Sequence, residues 1–378
     1  MKNFIVLVVL TFILIGCSRR EVGYESYGKP LEQPVVKSFD NLLNNSDELP
    51  VSSIEIPQQP NDLPPIAEEA PLYEEAENKI AIVFPSKIVG KYASGTINTV
   101  LSQMLFNNIS FNLEVIDTFD ESAVNIEKAV NELHEKKYKN ILMFITNTGL
   151  RALENNEKAR QLTIYAPLIH KKNSISSLPN IVYGGIDYEQ QIEALFQYSN
   201  HKDVVFSAQT ALGSSLKDLV LQKSQRVALN TMVDTETNNY KPLVTNRNIN
   251  GSTLFMNTSI VQTSIILSQL RANEIKPNII LSTQLNYTPM IISLTQYLDR
   301  KDFLVANSIE AVHPNLEEVN ALLDADIIYN WVNYSTLIGI NYLLKNEELN
   351  VNKIVNNQVQ YKTTIYKNTP YGFERYPN

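Results

Sequence analysis

One thiol and four imidazoles are the side chains of this 378-residue chain best suited to covalent or metal chemistry. The single cysteine, Cys17, excludes a disulfide within the chain. A zinc site needs clustered histidine or cysteine ligands, whereas the histidines are scattered at His134, His170, His201 and His313. We therefore predict that the chain holds no metal.

The sequence also lacks the motifs of common catalytic and cofactor sites. It contains no Gly-x-Ser-x-Gly elbow and no glycine-rich phosphate loop. Its first predicted strand leads into Pro85-Ser-Lys-Ile-Val-Gly90, which is not a dinucleotide-binding turn. The formal net charge of -8 argues against the basic surface that nucleic-acid binding requires. We expect a protein that is not an enzyme, has no cofactor and does not bind nucleic acid.

Cys17 follows a segment with the layout of an export signal. Lys2 precedes an apolar stretch at 4–15 that is interrupted by one threonine, and this stretch is too short for a permanent membrane span of roughly 20 residues. Residues 14–17, Leu-Ile-Gly-Cys, resemble the bacterial lipobox, in which the thiol takes a diacylglycerol before cleavage. The resemblance implies a signal peptide at 1–16 and a lipoprotein that carries a lipid such as palmitate on Cys17. The alternative is a plain signal peptide with a chance cysteine.

Lipidation would place the chain in the cell envelope, facing the periplasm. Acyl chains add about 0.8 kcal/mol of membrane affinity per buried methylene, so two or three chains anchor stably. Ser18 stands where lipoproteins retained at the inner membrane often carry aspartate. By this resemblance we expect the outer membrane.

The stretch from 17 to 78 has the composition of a disordered tether. It carries eight prolines, nearly half of the 17 in the chain, and five glutamates between 68 and 77. Such a composition buries too little apolar surface to offset chain entropy. About 60 residues at roughly 3 Å each reach on the order of 150 Å when fully extended. The segment is interpreted as a spacer, with a docking motif as the alternative.

The pattern changes at residue 79, where short apolar runs begin to alternate with amphipathic segments. This alternation predicts βαβ units with parallel sheets and helices on both faces. It restarts after Asp187, which indicates two similar lobes. The predicted strands lie at 79–85, 113–118, 140–145, 163–167, 180–186, 203–208, 226–232, 252–256, 278–282, 303–307 and 326–331, and a final β segment lies at 358–366.

This order resembles the type I periplasmic binding protein fold, which has two Rossmann-like lobes with a cleft between them. The likeness rests on the strand at 80–85 with Gly95 downstream, on 115–118 ending near an aspartate, and on 202–207 before Leu212-Gly-Ser-Ser215. It implies three chain crossings between the lobes. The expected lobes are about 79–187 with 309–331, and about 188–308 with 332–378.

Within that fold, the sequence is most similar to the lipoprotein activators of penicillin-binding proteins. The segments 278–282, 303–308 and 325–331 follow the spacing of that group. The resemblance implies a non-enzymatic lipoprotein that binds and regulates a partner, for which a peptidoglycan synthase is the expected candidate. The helical-repeat domain that precedes this fold in such activators is replaced by the tether, so their partner surfaces do not carry over.

Ligands of two-lobed α/β proteins bind at the carboxyl ends of the strands. Hydroxyl and amide side chains at these positions could hold a small polar ligand. The alternative is that they cap helices, a common use of Asn, Ser and Thr. The predicted cleft residues are Ser86, Tyr92, Asn147, Thr148, Thr210, Asn286, Tyr287 and Ser308.

Three functions remain open on the sequence alone. The first is the regulatory lipoprotein, whose long tether suits a distant partner. The second is a small-solute receptor of an ABC-type transporter. The third is a structural component of an envelope assembly.

Overall fold

The computed structural model describes residues 78–236 and 239–377. The predicted signal peptide at 1–16, Cys17 and the tether up to residue 77 lie outside the described residues. Within the described residues the chain forms two α/β lobes, each built on a seven-stranded sheet. The predicted fold class, two lobes with parallel sheets, is confirmed.

The first lobe is built on a sheet that is almost entirely parallel. Its strands, numbered along the chain, are β1 (Asn78–Phe84), β2 (Phe111–Asp117), β3 (Asn140–Met143), β4 (Thr163–Ala166), β5 (Ile181–Tyr183), β11 (Ile354–Val355) and β12 (Gln358–Val359). Their order across the sheet is β11-β12-β5-β4-β3-β1-β2, and only β11 and β12 pair in the antiparallel direction. Residues 80–83 of β1 are fully buried, as expected for a parallel strand with helices on both faces.

The second lobe repeats this plan with an antiparallel edge. Its strands are β6 (Asp203–Ala208), β7 (Val227–Val233), β8 (Thr253–Asn257), β9 (Ile279–Ser282), β10 (Phe303–Asn307), β13 (Thr364–Asn368) and β14 (Phe373–Arg375). They lie in the order β14-β13-β10-β9-β8-β6-β7. The strands β6 to β10 are parallel, whereas β13 and β14 pair in the antiparallel direction.

Helices cover both sheets. They are α1 (Ser86–Val89), α2 (Ala93–Phe106), α3 (Ala123–Glu135), α4 (Asn147–Glu154), α5 (Tyr188–Phe196), α6 (Ala211–Lys223), α7 (Lys241–Val244), α8 (Ile260–Ala272), α9 (Met290–Leu294), α10 (Tyr297–Arg300), α11 (Pro314–Leu322) and α12 (Trp331–Leu343). Polar side chains accept the first free N–H groups of several of them. Such N-caps are Ser122, Thr146, Asp187, Thr210, Ser259 and Asn330.

The chain crosses between the lobes three times, as the resemblance implied. We call 184–187 the first crossing, 308–313 the second crossing and 360–363 the third crossing. The first two leave the carboxyl ends of β5 and β10, so the cleft between the lobes lies at the carboxyl edges of both sheets.

The predicted lobe boundaries differ from the structure after residue 331. The sequence-based division placed 332–378 in the second lobe, whereas α12, β11 and β12 all belong to the first lobe. Helix α12 packs in parallel with α2, where Gln103 Nε2 donates to Asn341 Oδ1 at 2.6 Å. A Cβ on Gly95 would meet Asn333 at 2.9 Å, so glycine allows the close approach of these helices. Only the segment after the third crossing returns to the second lobe.

The predicted strand at 326–331 is wrong, because this segment is an irregular loop that leads into α12. Asp326 Oδ1 accepts the N–H groups of Ile328 and Tyr329 at 2.8 Å. Asn330 then caps the helix. Short polar side chains that bond to nearby backbone compete with a sheet ladder. The segment 289–300 forms two short helices, α9 and α10, rather than one.

Candidate functional site

Near the carboxyl ends of β9 and β10, two buried amide side chains bond to Ser308 and to backbone groups of the second lobe. Gln191 of α5 donates from Nε2 to Ser308 Oγ at 2.7 Å, and its Oε1 accepts the N–H of Gln284 at 2.8 Å. Gln284 Oε1 in turn accepts the N–H of Ser308 at 2.7 Å. Ser308, a predicted cleft residue, is therefore engaged inside its own lobe.

Asn286 is also used within the second lobe. Its Nδ2 donates to Ser282 Oγ at 2.8 Å and to the carbonyl of Thr258 at 3.2 Å, and the side chain is fully buried. In the segment 283–286, which follows β9, three buried polar atoms have no hydrogen-bond partner: Thr283 Oγ1, Gln284 Nε2 and Asn286 Oδ1. Buried polar atoms are usually paired with protein or water, so these three atoms are exceptions at the carboxyl end of β9.

The other polar residues predicted for the cleft serve mainly local roles. Thr210 Oγ1 accepts the N–H of Gly213 at 3.0 Å and caps α6. Asn147 Nδ2 donates to the carbonyl of Asn173 at 2.7 Å and so holds the loop after β4. Thr148 lines an open depression of about 820 Å³ between α3 and α4, whose lining residues all belong to the first lobe. These contacts favour the capping alternative for Thr210 and a structural role for Asn147.

Two predicted residues follow β1. Ser86 begins α1, and its N–H donates to Asp117 Oδ1 at 3.0 Å. Hydrogen bonds from the backbone of Phe119 and from Ser86 overcome the effect of desolvation and lower the pKa of Asp117. Tyr92 is partly buried against the core of the first lobe, and the ammonium of Lys91 lies 4.8 Å from its ring centre.

Tyr287 forms part of an aromatic contact between the lobes. Its ring centre lies 4.6 Å from that of Phe373 and 5.2 Å from that of Tyr366, both in the second lobe. Tyr329, from the first-lobe loop before α12, lies 5.3 Å from Tyr287. We call these four residues the aromatic latch. Ring pairs at such distances contribute about 0.5–1.5 kcal/mol beyond the area they bury, so the latch stabilises the contact between the lobes.

The three crossings are joined by buried side chains. Tyr361 on the third crossing donates its hydroxyl to the carbonyl of Gly184 on the first crossing at 2.6 Å. Asn352 donates from Nδ2 to Glu310 on the second crossing at 3.2 Å and to the carbonyl of Gln360 on the third at 3.1 Å. These two side chains, which we call the crossing clamp, fix the three crossings to one another.

Close packing surrounds the clamp. Ser335 Oγ donates to the same Gly184 carbonyl at 2.9 Å. A Cβ on Gly184 would lie 2.3 Å from the Tyr165 hydroxyl, so only glycine fits at this position. Burial raises the pKa of the Tyr361 hydroxyl well above its usual value, and the group therefore remains a donor at any physiological pH.

A charged cluster joins the lobes beside the first crossing. Lys172 of the first lobe donates to Asp187 at 2.6 Å and to Glu189 of α5 at 3.4 Å. Burial would raise the pKa of Asp187, but the bonds from Lys172 and the Gln190 N–H outweigh it and the pKa is lowered. Burial lowers the pKa of His170, and the negative charge of Asp187 partly offsets this effect. The neutral imidazole accepts the N–H of Lys172 through Nδ1 at 3.2 Å.

Within the described residues, no helix is long and apolar enough to cross a membrane. In the same part of the chain, no group of three or more His, Cys, Asp or Glu side chains could hold a metal ion. The clamp and Tyr329 were not predicted as functional residues. Their partners are distant in the sequence, so no local motif marks them.

The fold is that of the type I periplasmic binding proteins. One similar structure is the substrate-binding protein LivJ of Streptococcus pneumoniae in complex with isoleucine, which is 8% identical, with 79% of this chain and 97% of that chain covered at a TM-score of 0.59. A branched-chain amino acid transporter protein of Thermus thermophilus with bound valine is 12% identical. The match covers 79% of this chain and 94% of that chain, with a TM-score of 0.59.

A regulator has the same fold. The LpoA C-domain of Haemophilus influenzae, described as a regulator of PBP1A, is 13% identical, with 79% of this chain and 100% of that chain covered at a TM-score of 0.52. No model of a known protein family matches the sequence, and no curated protein matches it in sequence. At these identities the comparisons establish the fold alone.

Proposed function

We propose that this chain is a non-enzymatic, lipid-anchored envelope protein whose two-lobed domain binds and regulates a peptidoglycan synthase. The lipid on Cys17, the outer membrane and the synthase belong to this proposal. The likeness to the LpoA C-domain supports the class of partner. The observation that carries the proposal is the crossing clamp.

The clamp matters because a solute receptor must change the angle between its lobes to enclose its ligand. Such closure requires a few residues at the crossings to absorb large backbone changes. Here Tyr361 and Asn352 tie all three crossings together with buried hydrogen bonds. Opening that separated the crossings would break these bonds, each of which contributes about 0.5–1.5 kcal/mol net. A body of fixed shape suits recognition of a protein surface.

The cleft itself supports the same conclusion. Ser308 and Asn286 already have partners inside the second lobe, and Tyr329 lies across the gap against Tyr287. Separation of the lobes to admit a ligand would break the contact between Tyr329 and Tyr287. The outer surface of the domain is therefore the better candidate for partner binding.

The runner-up is a solute receptor, and one observation favours it. Thr283, Gln284 and Asn286 each keep an unpaired buried polar atom beside the cleft. Structures of the same fold hold isoleucine or valine. These atoms could receive the polar groups of a ligand as small as an amino acid.

Two assays on the purified full chain separate these functions. The first measures polymerisation of lipid-linked disaccharide by the bifunctional synthase of the same organism, with and without the chain; we expect a higher rate with it. The second measures the melting temperature with isoleucine, valine and the other amino acids. A ligand at 100 times its Kd stabilises by about 2.7 kcal/mol. An unchanged synthase rate together with a raised melting temperature would replace the proposal by the receptor.

A further inference from the structure

The two sheets end in four edge strands within the described residues, and these differ in how they are protected. Proteins usually block an edge with charges, proline or short length, because its free backbone groups pair readily with another strand. Strand β11 has two residues, β14 carries Glu374 and Arg375, and β2 carries Glu114 and Asp117. Strand β7, Val-Ala-Leu-Asn-Thr-Met-Val, has seven residues and no charge.

The direction of each β7 backbone group follows from its pairing with β6. The carbonyl of Val233 accepts the N–H of Gln209 at 2.9 Å, so Val233 faces β6. In a parallel ladder, alternate residues bond to the same neighbour. Leu229 and Thr231 therefore also face β6, while Asn230 and Met232 direct their N–H and C=O groups to the open side.

Side chains close the two ends of this open side. The carbonyl of Ala228 accepts from Asn248 Nδ2 at 3.2 Å. The carbonyl of Asp234 accepts from Gln262 Nε2 at 2.9 Å. Between these ends, no described strand pairs with Asn230 and Met232. The free edge is two outward-facing residues long, which matches a short stretch of extended peptide.

A cavity lies beside this edge. Its volume is about 380 Å³, enough for one or two large side chains. Leu229, Thr231 and Val233 of β7 contribute one wall, and the segment 240–246 contributes the other. A strand added to β7 would project every second side chain to this face of the sheet. The walls combine apolar side chains such as Leu229, Val233 and Leu243 with polar ones such as Thr231 and Asn246, so a β-branched side chain such as valine or threonine suits the cavity.

We propose that the open edge of β7 and the cavity beside it form a strand-addition site for an extended segment of a partner protein, with apolar or β-branched residues at alternate positions. The free N–H and C=O groups require an extended backbone, and the cavity selects the side chain. A second copy of this chain fits less well, because two paired β7 edges would bring two 240–246 segments to the same place. The inference rests on the proposed function only for the identity of the partner.

Proline at residue 230 is a sharp test of this site. Asn230→Pro removes an N–H that faces outward, and proline is tolerated on edge strands where the N–H faces solvent. The ladder to β6 is kept, since the N–H groups of Thr231 and Val233 remain. Val115→Pro is the matched control, because the bond from the Thr118 N–H to the carbonyl of Phe84 places Val115 outward on the edge strand β2.

The probe is a fluorescein-labelled peptide, KTVTVTVK, whose anisotropy is followed on titration with the full chain. We expect saturable binding that Asn230→Pro weakens at least tenfold and that Val115→Pro leaves within twofold. Melting curves of both variants within a few degrees of the parent show that both fold. If the melting temperature of Asn230→Pro is far below that of the parent, Asn230→Lys replaces it, because a charged side chain on the edge disfavours pairing with another strand without altering the backbone.

Three results would overturn the site: no saturable binding, equal affinity of the parent and the residue-230 variant, or a parent dimer that Asn230→Pro converts to a monomer, which would assign the edge to a second copy. The synthase assay distinguishes this failure from that of the proposed function. Stimulation that survives Asn230→Pro would refute strand addition by the synthase and leave the regulatory function. Peptide binding by a chain that never stimulates the synthase would support the strand-addition site and refute the regulatory function.

Discussion

Removal of one hydroxyl tests the crossing clamp most simply. Tyr361→Phe deletes the group that donates to the Gly184 carbonyl at 2.6 Å and keeps the ring. The carbonyl retains its bond from Ser335 at 2.9 Å, so no buried acceptor is orphaned. The expected loss is therefore that of one net hydrogen bond, about 1 kcal/mol. With an unfolding entropy of roughly 2.1 cal/mol/K per residue over about 300 folded residues, that corresponds to a melting temperature about 1–2 °C lower.

The measurement is thermal unfolding of the full chain, followed by circular dichroism. Tyr371→Phe is the matched control, because this tyrosine is 94% exposed and loses the same hydroxyl; surface changes of this kind stay within about 0.5 kcal/mol. Asn352→Ala should cost more, about 2–4 kcal/mol, since the buried Tyr334 hydroxyl and the Gln360 carbonyl both lose its bonds. Equal melting of Tyr361→Phe and Tyr371→Phe would refute the clamp as a source of stability.

Three further predictions concern the charged cluster, the aromatic latch and the anchor. The pKa of His170 is lowered from its ordinary 6.5, so the folded state favours the neutral imidazole. Stability is therefore lost as the pH falls below about 6.5. Urea unfolding at several pH values should show that His170→Asn reduces this loss and that the exposed His201→Asn does not. Tyr329→Ala should lower the free energy of unfolding by about 1–2 kcal/mol and speed hydrogen exchange in 324–330, whereas Phe119→Ala, on an exposed ring, should do neither. Cys17→Ser should move the chain from the detergent phase to the aqueous phase and remove the acyl mass from the mature amino terminus, and a parent chain without that mass would contradict lipidation.

Much of the fold follows from local patterns in the sequence. The first strand was predicted at 79–85 and lies at 78–84. A short, unbroken apolar run that ends at a proline is typical of a buried strand. The segment 326–331 has similar apolar content, yet Asp326 and Asn330 bond to nearby backbone and turn it into a loop. Here capping chemistry overrides hydrophobicity.

The candidate site could be predicted only in part. The sequence predicts which polar residues follow the strands, but it does not predict the partners of these residues. Tyr361 bonds to Gly184 across 177 residues of sequence, and Ser308 bonds to Gln191 across 117. Contacts of this range leave no periodicity or motif, so only the folded chain reveals that these polar groups are already engaged.

Cross-linking in living cells tests the central claim most directly. A photoreactive amino acid at Met232, beside the open edge of β7, is activated in the native envelope, and the captured protein is identified by mass spectrometry. Our account predicts a peptidoglycan synthase, captured from this position and not from Val115 on the edge of the first lobe. Capture of a transporter permease, with no synthase at either position, would contradict it.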